Sequence, residues 1–208
     1  ANIGDEGGFV PPFEKTAEVL DFILETLNEL GYSEDVKLGL DCAASQFFRE
    51  GKYYFEGREL QEKELLGVYE DLFQRYPLVL IEDPFSEDDF QGFRQIMEVL
   101  GEKVKILGDD LTVTNPERVK LAAEKNLCNG MIVKPNQIGT ISETLEVIQL
   151  ARSFNWRILV SHRSGETCDD FIADLAIGVS ADFVKFGAPA RGERVVKYNR
   201  LLDIWFRR

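Results

Sequence analysis

From residue 36 onward, short apolar runs alternate with longer stretches whose apolar residues recur every three to four positions. The runs are Val36-Lys37-Leu38-Gly39-Leu40, Leu78-Val79-Leu80-Ile81, Val104-Lys105-Ile106-Leu107, Met131-Ile132-Val133, Arg157-Ile158-Leu159-Val160 and Asp182-Phe183-Val184. Rich in β-branched and aliphatic residues and too short for helices, they predict strands. Each closes on a polar residue: Asp41, Glu82, Asp109, Lys134, His162 and Lys185, spaced 23 to 41 residues apart. That spacing holds one strand, one helix and two loops, repeated.

The intervening helices carry start and stop signals. Asn115 is a good N-cap followed by Pro116, whose missing N–H costs nothing in the first helical position. Thr140 and Glu143 have capping-box spacing ahead of Leu145, Ile148 and Leu150. Residues 15–30 predict a further amphipathic helix, with Val19, Leu20, Ile23, Leu24 and Leu27 on one face and Gly31 as its stop. Residues 45–57 are expected to form an irregular hairpin excursion. No linker or low-complexity tract interrupts residues 1–208, so a single domain is expected.

Strands alternating with helices imply an α/β fold with a parallel sheet, open or closed. A doubly wound nucleotide binder would carry a glycine-rich phosphate loop, and neither GxGxxG nor GxxxxGK[ST] occurs. Polar residues closing all six runs suit a ring around one mouth, which favours a TIM-type (β/α) barrel. Such a barrel needs eight strands, so six βα units make it incomplete and leave hydrophobic sheet edges. Further sequence, a second polypeptide or another copy of the chain is expected to complete it; a first residue of Ala1 rather than Met fits a processed chain or part of something longer.

Composition narrows the partners. The net charge of −13 argues against nucleic acid, and divalent metal is the natural companion of a phosphorylated metabolite on so acidic a chain. No apolar run approaches the roughly 20 residues of a membrane span. No signal region opens the chain. Three scattered cysteines, Cys42, Cys128 and Cys168, fit a reducing cytoplasm.

Asp41, Glu82 and Asp109 end successive strands, and three carboxylates facing one mouth repel unless a cation lies between them. Oxygen donors select Mg2+ over zinc. The bland alternative is that each acid caps the helix after it. Lys134 ends the next strand, where a lysine near metal and a second lysine gives up its proton readily and serves as a base. Simple balance of the acids is the alternative there, and Lys185 occupies the equivalent place beyond His162. The sole histidine leads His162-Arg163-Ser164-Gly165, a fork donor, hydroxyl and glycine suited to phosphate. The glycines of Gly4-Asp5-Glu6-Gly7-Gly8 would let Glu6 reach into a site, although such a stretch is equally an exposed turn.

Together these stretches resemble the enolase family. The resemblance runs through Gly4-Asp5-Glu6-Gly7-Gly8-Phe9, Gly39-Leu40-Asp41-Cys42-Ala43-Ala44-Ser45, Ile81-Glu82-Asp83-Pro84-Phe85 and Gly108-Asp109-Asp110-Leu111-Thr112-Val113-Thr114-Asn115-Pro116. It continues through Lys134-Pro135-Asn136-Gln137-Ile138-Gly139-Thr140, Ser161-His162-Arg163-Ser164-Gly165-Glu166-Thr167 and Lys185-Phe186-Gly187-Ala188-Pro189-Ala190-Arg191, in the family's order over nearly the whole chain.

The resemblance implies an enolase-superfamily barrel and reversible dehydration of 2-phosphoglycerate to phosphoenolpyruvate, a glycolytic reaction. By motif, Asp41, Glu82 and Asp109 would hold Mg2+, Lys134 would remove the C2 proton and Lys185 would neutralise the resulting charge. Glu6 would act in expelling the C3 hydroxyl, and Arg163 and Ser164 would hold the phosphate beside His162. A lysine base with one or two Mg2+ ions is the superfamily's known pattern.

This sequence also departs from the family. An α+β capping domain, two barrel strands with a second catalytic glutamate and a histidine, and a mobile metal-binding loop belong to the longer family chain and are not among these residues. Gln46 stands where glutamate is usual, Cys168 where an acid is common, and Phe186 where a small residue would leave Lys185 more room. The chain alone is therefore expected to be inactive, needing the N-terminal enolase portion or a second subunit, and a homo-oligomer is expected. A non-catalytic enolase-like scaffold is the alternative, although a scaffold has no physical need of clustered acids and lysines.

Overall fold

The computed structural model describes residues 2–207. In chain order the elements begin with β1 (Asn2–Ile3), β2 (Phe9–Val10), α1 (Thr16–Leu30), β3 (Leu38–Asp41), β4 (Phe48–Arg49), β5 (Lys52–Phe55) and β6 (Arg58–Leu60). There follow α2 (Glu62–Arg75), β7 (Leu78–Glu82), α3 (Phe90–Leu100), β8 (Lys105–Gly108) and α4 (Pro116–Glu124). The last third holds β9 (Gly130–Val133), α5 (Pro135–Ile138), α6 (Ile141–Ser153), β10 (Arg157–Ser161), α7 (Phe171–Gly178), β11 (Phe183–Lys185) and α8 (Gly192–Phe206). Every one of the six expected runs is a strand.

The chain forms two compact units. One, here the acidic unit, comprises Phe13–Thr112 and Lys120–Asn129. Its parallel strands lie in the order β3, β7, β8, with Asp41 opposite Glu82 and Glu82 opposite Leu107. Leu20 of α1 packs with Leu38, Leu72, Tyr76 and Leu78, so the apolar stripe of residues 15–30 covers one face of these strands. The helix stops where Gly31 turns left-handed, at φ 78°. The excursion read as an irregular hairpin is a regular antiparallel meander of β4, β5 and β6, with Tyr53 paired to both Phe48 and Leu60. Tyr53 and Tyr69 each set their rings 5.8 Å from that of Phe85, whose ring in turn faces Phe93. This aromatic cluster holds the chain leaving β7 in place.

The other, here called the basic unit after Lys134 and Lys185 and not for its net charge, comprises Ala1–Pro12, Val113–Val119 and Gly130–Arg208. Its parallel strands lie in the order β9, β10, β11. Met131, Ile132, Val133, Ile158, Leu159 and Val160 are all buried, the continuous apolar run expected of a parallel strand covered on both faces. Asn115 caps α4 by accepting the N–H of Glu117 at 2.9 Å, and Thr140 caps α6 by accepting that of Glu143 at 3.2 Å. Both caps stand where their signals predicted them. Among the described residues, no helix is long and apolar enough to cross a membrane.

Candidate functional site

In the acidic unit, Asp41 and Glu82 are the last residues of β3 and β7 and pair in register. Parallel register puts the two side chains on one face of the sheet at its carboxyl end. Asp109 follows the last residue of β8 directly. Beyond these ends the chain bends tightly: Cys42 donates its N–H to Glu82 O at 3.0 Å and Asp83 donates to Leu107 O at 3.0 Å. Ala43 and Asp83 both adopt positive φ, 42° and 40°, a conformation that non-glycine residues hold only under constraint from their surroundings.

Asp83 is the residue whose part the sequence did not disclose. It is buried, and its carboxylate accepts the backbone N–H of Asp109 at 2.9 Å and of Asp110 at 2.6 Å. Burial pushes its carboxyl up to about 7, against the pull of those two N–H donors. One carboxylate oxygen from each of Asp83, Asp109 and Asp110 lies within 4.8 Å of the others, so this cluster could bind a metal ion. The donors are all hard oxygens, the chemistry that suits Mg2+. Because Asp83 is already engaged by two backbone donors, its geometry suits the orientation of Asp109 rather than capture of the ion itself. Cys42 offers no competing thiolate, since burial pushes its thiol up to about 12.

In the basic unit, Ser161 pairs with Lys185, and Val160 pairs with Val133, the residue before Lys134. Lys134 and Lys185 thus stand level, on either side of Ser161, at the carboxyl ends of β9 and β11. Lys134 donates its backbone N–H to Thr114 Oγ1 at 2.9 Å, and Thr114 donates on to Gln137 Oε1 at 2.8 Å. This hydroxyl fixes the start of α5 and so the lysine's main chain. Thr114 and Val113, both β-branched, take positive φ of 52° and 41° to make that turn.

His162 follows β10 and is buried, donating its N–H to Lys185 O at 2.9 Å. Its Nε2 lies 3.1 Å from Glu6 Oε2 and its Nδ1 lies 2.6 Å from Arg194 Nη1. Burial lowers the imidazole's affinity for a proton, and Arg194 and Lys185 push the same way against the opposing pull of Glu6. Glu6 reaches this position on the hairpin between β1 and β2, closed by Gly4 N–H to Gly8 O at 2.8 Å. The hairpin tip is fastened by Ala188 N–H to Glu6 O at 3.0 Å and by Arg191 Nη1 to Asp5 O at 2.9 Å. What looked equally like an exposed turn is a tethered loop.

Arg163 donates through Nη1 to Asn136 Oδ1 at 3.0 Å, and its backbone N–H goes to Glu166 Oε1 at 2.9 Å. Ser164 is exposed and offers its carbonyl to Arg194 at 2.6 Å. Phe186, expected to crowd Lys185, is buried with its ring 6.0 Å from that of Tyr198. The sequence reading missed Arg194 and Lys197, both fully buried on α8 and both donating to the loop after β10. Nothing in the sequence marked them, because a cation on an amphipathic helix is ordinarily assigned to the wet face.

The chain's residues 1–205 match the family model of the enolase C-terminal TIM barrel domain. Six βα units within that domain make an incomplete barrel. The chain is 50% identical to the enolase of Aeropyrum pernix over 205 residues, covering 98% of this chain and 48% of that one. It is 50% identical to the enolase of Saccharolobus solfataricus over 204 residues and 48% identical to that of Elusimicrobium minutum over 202, in each case 97% of this chain and 48% of the relative. The chain thus spans about half the length of the curated relatives it matches. By a match extending over almost every residue, it belongs to the enolase family.

Proposed function

We propose that this chain carries the metal- and base-bearing part of a magnesium-dependent, reversible dehydration of 2-phosphoglycerate to phosphoenolpyruvate. Family membership supplies the reaction class. The observation that carries the reading is the contact of Glu6 with buried His162, beside Arg163 and Ser164 and at the strand level of Lys134 and Lys185.

Asp41, Glu82 and Asp109 are the residues that would hold Mg2+, and that ion would supply positive charge to offset the negative charge of the reacting substrate. Lys134 takes the proton from C2, and the released electron pair moves into the carboxylate. Lys185 offsets the charge that develops there. Arg163 and Ser164 hold the phosphate. The pair then returns to form the C2–C3 double bond as the C3–O bond breaks, and Glu6 delivers a proton to the departing hydroxyl to give water. With Oε2 engaged by His162, Oε1 is the Glu6 oxygen that carries this proton.

The test is turnover with and without a complement. The chain alone is expected to give negligible phosphoenolpyruvate, and the chain mixed with the N-terminal half of a relative such as the Aeropyrum enolase is expected to give it readily. In that mixture Lys134→Ala should abolish exchange of the C2 proton with deuterated water. Unchanged exchange removes Lys134 as the base, and a folded but inactive mixture overturns the enzymatic reading in favour of a scaffold.

A further inference from the structure

A guanidinium has only donors, so the nitrogen it meets on His162 must present a lone pair. Arg194 Nη1 meets Nδ1 at 2.6 Å. The imidazole is therefore neutral, with its proton on Nε2, and that N–H points at Glu6 Oε2, 3.1 Å away. The same guanidinium donates to Arg163 O at 2.7 Å, to Ser164 O at 2.6 Å and to Asp5 O at 3.1 Å. It thereby joins the loop proposed to hold phosphate to the hairpin that carries Glu6. Only a planar fork reaches both sides; a lysine has a single nitrogen to offer.

The fit around this fork is close. Gly187, at φ +81°, leaves a hypothetical Cβ only 2.5 Å from Glu6 O, 2.9 Å from Arg194 Cδ and 3.0 Å from His162 Cε1. Burying a guanidinium against an imidazole and carbonyls is costly compared with leaving it in water. Stability alone gives little reason to place an arginine there. The charged groups that act on His162 are Glu6, Arg194 and Lys185.

We propose that Arg194 is a positioning residue, which fixes His162 as its neutral Nε2–H tautomer and sets the Arg163–Ser164 loop against Glu6. The tautomer follows from the contacts alone, whereas its catalytic consequence rests on the dehydration proposed above. A free imidazole exchanges between tautomers; one held in this way presents a single donor to Glu6, leaving the other Glu6 oxygen for the leaving hydroxyl.

His162 is the chain's sole histidine, so 15N-histidine labelling yields one pair of ring nitrogens to read by NMR. In the full wild-type chain, Nδ1 is expected at the unprotonated position and Nε2 at the protonated one, persisting below the ordinary histidine midpoint of about 6.5. A protonated Nδ1 at neutral pH overturns the proposal whether or not any variant folds. In Arg194→Met the two nitrogens should move toward each other and the midpoint should rise; wild-type shifts in a folded variant overturn it equally. In the complemented enzyme, Arg194→Met should lower kcat and move the acid limb of the pH–rate profile upward. A changed tautomer with an unmoved profile overturns the catalytic role while sparing the tautomer. Absence of turnover in the complemented wild type counts against the dehydration reading and leaves the NMR result standing.

Discussion

The carboxylate of Asp83 receives the backbone N–H of Asp109 at 2.9 Å, and its second oxygen receives that of Asp110 at 2.6 Å. Asp83→Asn keeps the shape but gives one acceptor where there were two, leaving one buried N–H facing an amide NH2. A loss of about 1–3 kcal/mol of stability is expected. Because the residue released is a proposed metal ligand, Mg2+ affinity should also fall by about 10–100-fold. Calorimetric Mg2+ titration of the two forms checks this. Equal affinity with lowered stability would confine Asp83 to a role in folding.

His162 and Asp83 should pull the stability of this chain in opposite directions as pH falls. Burial holds the His162 imidazole below its ordinary value of 6.5 in the folded state. At His162 the unfolded chain therefore binds more proton than the folded one as pH falls beneath 6.5, and this group's contribution to stability declines until the folded value is passed. Above 6.5 the contribution is complete. Asp83, whose carboxyl burial raises to about 7, contributes the opposite slope between its ordinary value and 7, so the His162 part is read as the difference between wild type and His162→Asn in urea unfolding across this range. An unchanged slope in the variant would assign the effect to another group.

Two glycines should respond to alanine with opposite signs. Gly67 lies inside α2, with nothing within 4 Å of a Cβ placed there. Alanine there is expected to stabilise by about 0.5–1 kcal/mol through better helix propensity and fewer unfolded conformations. Gly187 combines φ +81° with a carbonyl oxygen 2.5 Å from the same hypothetical atom. Alanine there should destabilise by about 1–3 kcal/mol and displace Glu6 from His162. Thermal melts of both variants decide it, since the loss of unfolded-state freedom alone would predict gains at each position.

The strands and their terminal side chains were legible because a buried parallel strand must be apolar along its length, so the first polar residue marks its end. Asp41, Glu82 and Lys185 close their strands, and Asp109, Lys134 and His162 each follow the last strand residue directly. Arg194 and Lys197 were illegible for the converse reason. On an amphipathic helix a cation is assigned to the wet face, and only tertiary contacts show that these two are buried. Backbone strain was equally hidden: Ala43, Asp83, Val113 and Thr114 hold positive φ without the glycine that usually announces it. Family motifs brought Asp83 into view within Ile81-Glu82-Asp83-Pro84-Phe85, but its work on the Asp109 main chain appears only in the folded structure.

Lys197 and Glu166 offer the sharpest energetic test of the loop after β10. Their charged atoms lie 2.7 Å apart, with the lysine side chain 1% exposed and the glutamate 15%. Burial by itself would raise the Glu166 carboxyl, yet the Lys197 ammonium and the Arg163 N–H bring it below the usual range. Lys197 also donates to Thr167 O at 3.0 Å and Glu193 O at 2.8 Å. Lys197→Met strands the carboxylate's charge and the Thr167 carbonyl, while Glu193 O keeps its helical donor, so a loss of about 3–5 kcal/mol is expected. Adding Glu166→Gln to it removes the uncompensated charge and should restore part of that loss, a coupling of about 0.5–3 kcal/mol. Recovery should stay incomplete because Thr167 O remains without the lysine donor. A double-mutant cycle in urea measures both quantities. Strict additivity would mean that the ion pair contributes nothing and that Lys197 acts through the carbonyl contact alone.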